Sequence, residues 1–351
     1  MQAALPLRIP LVSTIIGSSR ISTGFRPHPR SSNSLQKVWS LPPPLGSAGS
    51  GPSGPGGEKF EADNRRYAEL TSAIEAAAAA AQEGLQGTSM YLVGMMGSGK
   101  STVGKLISQA LGYCFFDTDA LIEQLAGKTI PEIFAEDGEE EFRGIETQVL
   151  QELAPFKNCI ISTGGGAATR SENWGHMQGG ISVWLNGSPA LLARRVLQDG
   201  TDNRPLLSSS SSSEQPQQED KGSKNGSKST STAKEEAQQV TEEYHRTVER
   251  LIVLLHDREE QYSFADITVS LEGDDPETAD FGAPAAVVAL RVLQSVNERI
   301  ARDSALREQR KNFEVVNENL PPSMRVVQSI NTPADSGGAG GKENEKDPYL
   351  P

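Results

Sequence analysis

The chain has 351 residues, a net charge of −13 and 36% hydrophobic residues. So acidic a chain is a poor binder of nucleic acid or anionic membrane, and no apolar run is long enough to span a bilayer. Its two cysteines, Cys114 and Cys159, lack metal-type spacing and adjoin apolar residues, so both are expected as buried free thiols with no disulfide framework.

Residues 1–57 hold no Asp or Glu, five Arg or Lys and eleven Ser, and close in a Pro/Gly tract from Pro42 to Gly57. Acid-poor, Arg- and Ser-rich N-termini are typical of organelle transit peptides, and the serine content favours the chloroplast stroma. A helix is expected over 58–86, where charges alternate with alanine. Ala76–Ala81 supplies helix propensity but little packing specificity, so this helix is expected outside the core.

From Met90 the pattern becomes strand, loop, helix. The apolar run Met90–Val93 leads into Gly94-Met95-Met96-Gly97-Ser98-Gly99-Lys100-Ser101-Thr102, and Val103, Leu106, Ile107 and Leu111 follow at helical spacing. This fits G-x-x-x-x-G-K-[ST], the phosphate-binding P-loop, in its required strand–loop–helix context. Gly94, Gly97, Ser98 and Gly99 let backbone N–H groups close around phosphate oxygens, and the helix starting there adds its positive dipole end. Lys100 can reach the β/γ-phosphates of a triphosphate, and Ser101 can ligate Mg²⁺.

Further strands are expected at Tyr113–Phe116, Cys159–Ser162, Ile181–Leu185 and Ile267–Ser270, with helices at Ala120–Ala126, Ile130–Ala135, Glu139–Leu153, Ala190–Leu197 and Val240–Gln261. Short apolar strands alternating with helices predict an α/β fold. The expected form is a single domain over 87–302 with a central parallel β-sheet flanked by helices. Ligands then belong at the carboxyl ends of the strands. Residues 208–239 begin with six serines and contain few apolar side chains, which predicts a disordered insertion. A last helix should end near Arg302, and residues 303–351 read as a largely disordered tail.

Beyond the P-loop, Asp117 and Asp119 follow the second strand at i and i+2, where one could serve Mg²⁺ and the other an attacking alcohol. A simpler role for Asp119 is to N-cap the helix from Ala120. Arg143, Arg204 and Arg258 each stand near acids and, taken singly, suit a solvated or salt-bridged arginine. Thr163-Gly164-Gly165-Gly166-Ala167 after the third strand lets a backbone approach a ligand closely.

Taken together these elements resemble the shikimate kinases from about Gly87 to Glu272. In the family's order they are the P-loop, Phe115–Asp119 (F-x-D-x-D), Glu140–Glu146 (E-x-F-R-x-x-E), Gly164–Ala167 (G-G-G-A), Arg204–Leu207 (R-P-L-L), and Arg258 with Tyr262, Ala265 and Asp266. The resemblance implies transfer of the ATP γ-phosphoryl group to the 3-hydroxyl of shikimate, with Mg²⁺, on the route to chorismate and the aromatic amino acids. It implies that Asp119, Arg143, Arg258 and the Gly164–Gly166 backbone hold shikimate, the two arginines clamping its carboxylate. It also implies that Ser101 and Asp117 serve Mg²⁺, with Thr102 completing the nucleotide loop. Lys100 and the lid residue Arg204 would neutralise the transferred phosphoryl group, Asp119 would assist proton loss, and Arg194 or Arg195 would lie near the adenine. No nucleic-acid or membrane partner is implied, and the chain is expected as a monomer or weak homodimer. Alternatives are another small-molecule P-loop kinase, such as a gluconate or nucleoside monophosphate kinase, and a non-catalytic plastid relative. The insertion after Leu207 departs from the family, whose lid loop is much shorter.

Overall fold

The computed structural model describes residues 57–199, 232–274 and 280–311. The chain divides into two compact units, Met1–Ala301 and Arg302–Pro351; of the second, residues 302–311 are helical. The proposed transit segment lies outside the described residues, save its last residue, as do most of the insertion and the tail beyond Lys311.

The elements run in the order α1 (Gly57–Leu85), β1 (Met90–Val93), α2 (Lys100–Leu111), β2 (Cys114–Asp117), α3 (Thr118–Ala126), α4 (Ile130–Glu136) and α5 (Glu139–Leu153). After β3 (Cys159–Ser162) and a 3₁₀ turn (Ala167–Thr169) come α6 (Ser171–Met177), β4 (Ile181–Asn186) and α7 (Pro189–Asp199). Then follow α8 (Thr232–His256), α9 (Glu259–Tyr262), β5 (Ile267–Ser270) and α10 (Ala285–Lys311). The five strands form one parallel sheet in the order β2-β3-β1-β4-β5. Burial follows from that order. Central β1 is buried at all four residues, whereas edge strand β5 alternates buried and exposed.

Register sets the site. Leu92 and Asp117 both pair with Ser162, so β1, β2 and β3 end at one edge of the sheet. The P-loop, the Asp117–Asp119 segment and the glycine run leave from that edge, beside the central strand where the chain order reverses.

Four expectations are corrected. First, α1 does not lie outside the core. Ile74, Ala78, Ala81 and Leu85 form a helical stripe exposed by at most 2%, Gln82 donates to the Leu111 carbonyl, and Asn297 donates to the Ala77 carbonyl. The alanines are spacers that admit neighbouring helices, and burying Ile74 or Leu85 contributes about 1.5–3 kcal/mol each. Second, the expected coil over 208–239 is too long, because α8 already starts at Thr232. Third, the expected helix Val240–Gln261 breaks between α8 and α9: the Asp257 N–H still reaches the Val253 carbonyl, but the Arg258 N–H donates to the Leu255 carbonyl at 3.0 Å in a tighter turn. Fourth, Cys159 is buried but Cys114 is exposed, since it opens an edge strand. The helix α6 has no counterpart in the sequence reading, being a single short run with weak periodicity.

Candidate active site

The P-loop backbone turns through residues in the left-handed region: φ is 144° at Gly94, 77° at Gly97 and 81° at Gly99. That path is open to glycine and strained for other residues. It leads directly into α2, whose N-terminus turns the positive end of the helix dipole toward the loop. Lys100 is nearly buried. Its ammonium donates to the Gly94 carbonyl at 2.8 Å, the Met95 carbonyl at 2.9 Å and Ser98 Oγ at 3.3 Å. Arg195 Nη1 would be 3.8 Å from a Cβ at Gly99, which places Arg195 beside the loop, while Arg194 turns away to Asp280.

Ser101 donates to Asp117 Oδ2 at 2.5 Å, and Ser162 Oγ is 3.4 Å from Ser101 Oγ. These are hard oxygen donors. No group of three or more His, Cys, Asp or Glu suited to a metal occurs among the described residues. Mg²⁺ shared with nucleotide phosphates needs only one or two protein oxygens and keeps its waters, so this donor set fits it. Asp117 also corrects the capping expectation. Its carboxylate, not that of Asp119, caps α3, accepting from the Asp119 and Ala120 N–H groups at 3.2 Å and 3.5 Å. Asp119 is therefore free of the capping role.

The opposite wall comes from α5. Phe142, Ile145, Val149, Leu150 and Leu153 form its apolar stripe, and Arg143 and Glu146 are buried with it. Arg143 Nη1 donates to Glu146 at 2.9 Å and Nη2 to Glu139 at 3.2 Å. Burial works against the guanidinium charge, but the two glutamates more than offset it and hold its pKa above the ordinary value. Burial raises the Glu146 pKa despite Arg143. Glu146 had no role in the sequence reading beyond its place in a motif. The available signal was an acid inside an apolar helical stripe, which needs a buried partner.

The glycine run bridges the two walls. A Cβ at Gly164 would collide with Glu146 Oε1 and stand 2.7 Å from Asp119 Oδ1, and one at Gly166 would overlap the Arg143 guanidinium. Asp119 Oδ1 and Glu146 Oε1 are buried without a hydrogen-bond partner among the described residues. Two bare carboxylate oxygens and a guanidinium thus converge on this run. Arg258 Nη1 donates to the Gly165 carbonyl at 3.2 Å.

A cleft of about 360 Å³ is lined by Lys100, Ser101, Thr102, Asp117, Asp119, Arg143, Glu146, Gly164, Gly165, Gly166 and Arg258. Residues from five separate segments of the chain meet there. Arg204 lies outside the described residues.

The Asp119 carboxyl is pushed up to about 7, by burial first, then by Glu146 and Asp117, against the pull of Lys100 and Arg143. The folded value lies above the ordinary 3.8, so the folded state holds this proton more tightly than the unfolded chain. Its contribution to stability is whole below about pH 4 and is lost as pH rises through about 7. In nucleotide-free protein with chelator, Asp119→Asn should gain on wild type by about 2 kcal/mol between about pH 5.5 and about pH 8. Urea melts at the two pH values check this; a gap that shrinks with pH would refute the burial account.

A family model described as shikimate kinase matches residues 96–253. A shikimate kinase of Gloeobacter violaceus is 37% identical over 222 residues, 63% of this chain and 99% of the relative. The chain belongs to the shikimate kinase family. Shikimate kinase of Synechococcus elongatus is 52% identical over 123 residues, 35% of this chain, and Arabidopsis thaliana "shikimate kinase 1, chloroplastic" is 56% identical over 124 residues, also 35%. Those two alignments span 64% and 41% of the relatives' own lengths. The sheet and P-loop of this shikimate kinase family member thus carry a second, arginine- and carboxylate-lined half-site in the same cleft.

Proposed function

We propose that the chain is a shikimate kinase, transferring the γ-phosphoryl group of ATP to the 3-hydroxyl of shikimate to give shikimate 3-phosphate and ADP. One observation carries the reading. Across a single cleft, the P-loop lysine faces a buried wall in which Arg143 and Arg258 flank the glycine run and the bare carboxylate oxygen of Asp119 points at it.

In this reading Arg143 and Arg258 hold the shikimate carboxylate, where planar guanidinium donors fix the ring's orientation. Asp119 faces the ring hydroxyls, and the Gly164–Gly166 backbone lies along the shikimate site. With a pKa near 7, Asp119 is poised to accept the proton of the 3-hydroxyl as its oxygen bonds to the γ-phosphorus and the bond to the β-phosphate oxygen breaks. Lys100 and the P-loop N–H groups stabilise the charge that shifts toward the leaving phosphate. Mg²⁺, held through Ser101 and Asp117, would supply further charge neutralisation on the phosphates. Arg204, which lies outside the described residues, is assigned by the family resemblance to neutralising the transferred phosphoryl group.

The proposal extends to location. The acid-free residues 1–57 and the chloroplastic name of the Arabidopsis relative support a plastid address.

ADP release measured with MgATP, with and without shikimate, tests the reading. Shikimate should raise the rate by at least ~10³-fold, since acceptor positioning supplies much of the barrier reduction. The same rate with gluconate or a nucleoside monophosphate, or none with shikimate, would sink it.

A further inference from the structure

Tyr262 is wholly buried at the end of α9, stacked on Trp184 of β4 with ring centroids 5.6 Å apart and planes inclined by 20°. Its hydroxyl donates to the Gly165 carbonyl at 2.5 Å and lies 3.5 Å from the sulfur of Met95 in the P-loop. A buried hydroxyl on a ring fixed by stacking is a rigid donor, and its reach is set by the sheet beneath it. Arg258, four residues earlier, donates to the same carbonyl.

A trans peptide plane makes this bond informative. The carbonyl of Gly165 and the N–H of Gly166 belong to one plane and point in opposite directions. Pulling the carbonyl toward Tyr262 turns the Gly166 N–H away from the core. Neither the Gly165 nor the Gly166 N–H finds an acceptor among the described residues, and both residues line the cleft. Gly166 also lies against the Arg143 guanidinium, so that N–H is presented beside the cation assigned to the shikimate carboxylate.

We propose that Tyr262 is a positioning residue for acceptor specificity: through the Gly165 carbonyl it fixes the 165–166 peptide so that the Gly166 N–H joins Arg143 in holding an anionic oxygen of the acceptor. The inference rests on the shikimate kinase reading above. Burial pushes the Tyr262 hydroxyl up to about 12, so it remains a donor across the working range of pH. Arg258 also lines the cleft, whereas Tyr262 does not and acts through what its hydroxyl touches, the Gly165 carbonyl at the shortest distance, with the Arg258 side chain and the Met95 sulfur beside it.

The test is Tyr262→Phe, which keeps the ring and the Trp184 stack. KM for shikimate should rise by about 5–10-fold, the worth of one hydrogen bond, with kcat and KM for ATP within about 2-fold of wild type. Replacing Tyr262 by 4-aminophenylalanine restores a donor and should return KM for shikimate to within about 2-fold of wild type. Tyr113→Phe removes another buried hydroxyl, one distant from the glycine run, and should leave KM for shikimate unchanged. If Tyr262→Phe leaves KM for shikimate unchanged, or raises both KM values alike as a general loosening would, the positioning role is overturned. If Tyr262→Phe fails to fold, the 4-aminophenylalanine variant decides: a normal KM supports the role and a raised one overturns it. Wild-type protein lacking shikimate-dependent ADP release would instead refute the underlying reading, so the two failures are distinct.

Discussion

Lys100→Ala is expected to lower kcat for shikimate-dependent ADP release by about 10³-fold or more, with KM for shikimate within about 3-fold of wild type. The lysine sits where the P-loop ends and α2 begins, nearly buried, with its ammonium on the carbonyls of Gly94 and Met95. Those carbonyls hold the ammonium over the loop where the β/γ-phosphates of a triphosphate would lie. In a site that excludes water, a fixed cation opposite developing negative charge is worth far more than one in solvent. The loss therefore falls on the transition state, and shikimate, held by residues on other segments, should still saturate. Lys100→Arg should rescue poorly, because a planar guanidinium cannot occupy a pocket shaped by two carbonyls at 2.8 Å and 2.9 Å. Steady-state kinetics in both substrates decide the matter; a fall in kcat of less than about 10-fold would remove Lys100 from the phosphoryl-transfer role.

The nucleotide half of this site was readable from the chain because its chemistry is local. The P-loop needs its glycines, lysine and serine within one loop, so the motif and its flanking periodicity placed it between β1 and α2. The strand run from β1 to β5 was readable for a similar reason: each short apolar segment must be buried on both faces or on one. The acceptor half is non-local. Asp119, Arg143, Gly164 and Arg258 come from segments between 21 and 94 residues apart in consecutive pairs along the chain, and only the family resemblance joined them. Glu146 and Tyr262 carry no role in the sequence beyond their places in motifs, because their partners, Arg143 and the Gly165 carbonyl, are brought to them only when α5, α9 and the loop after β3 meet at one sheet edge. The capping error has the same origin. Asp117 and Asp119 both stood near the start of α3, and which one turned inward depended on where β2 ended. The alanine run in α1 misled in another way: small side chains read as weak packing, yet they let Ile74 and Leu85 reach the core.

Arg143→Ala should raise KM for shikimate by about 100-fold and also destabilise the fold by about 3–5 kcal/mol, so the two effects must be separated. The stability loss arises because Glu146 is fully buried and Arg143 Nη1 is its donor at 2.9 Å. Removing the arginine leaves a carboxylate in a low-dielectric wall without its counter-charge, and its already raised pKa should climb further. The KM loss has a different cause, the missing fork that would grip the acceptor's carboxylate. A double variant, Arg143→Met with Glu146→Gln, removes the orphaned charge and should recover most of the stability, because a neutral pair of similar volume can replace a buried ion pair at little cost. Shikimate saturation should remain as poor as in Arg143→Ala. Arg143→Lys keeps the charge but loses the second donor, and should raise KM for shikimate by about 10-fold. Urea melts report the first effect and shikimate titrations the second. If the double variant regained normal shikimate saturation, Arg143 would be a structural partner of Glu146 alone, and the carboxylate would have to be held by Arg258.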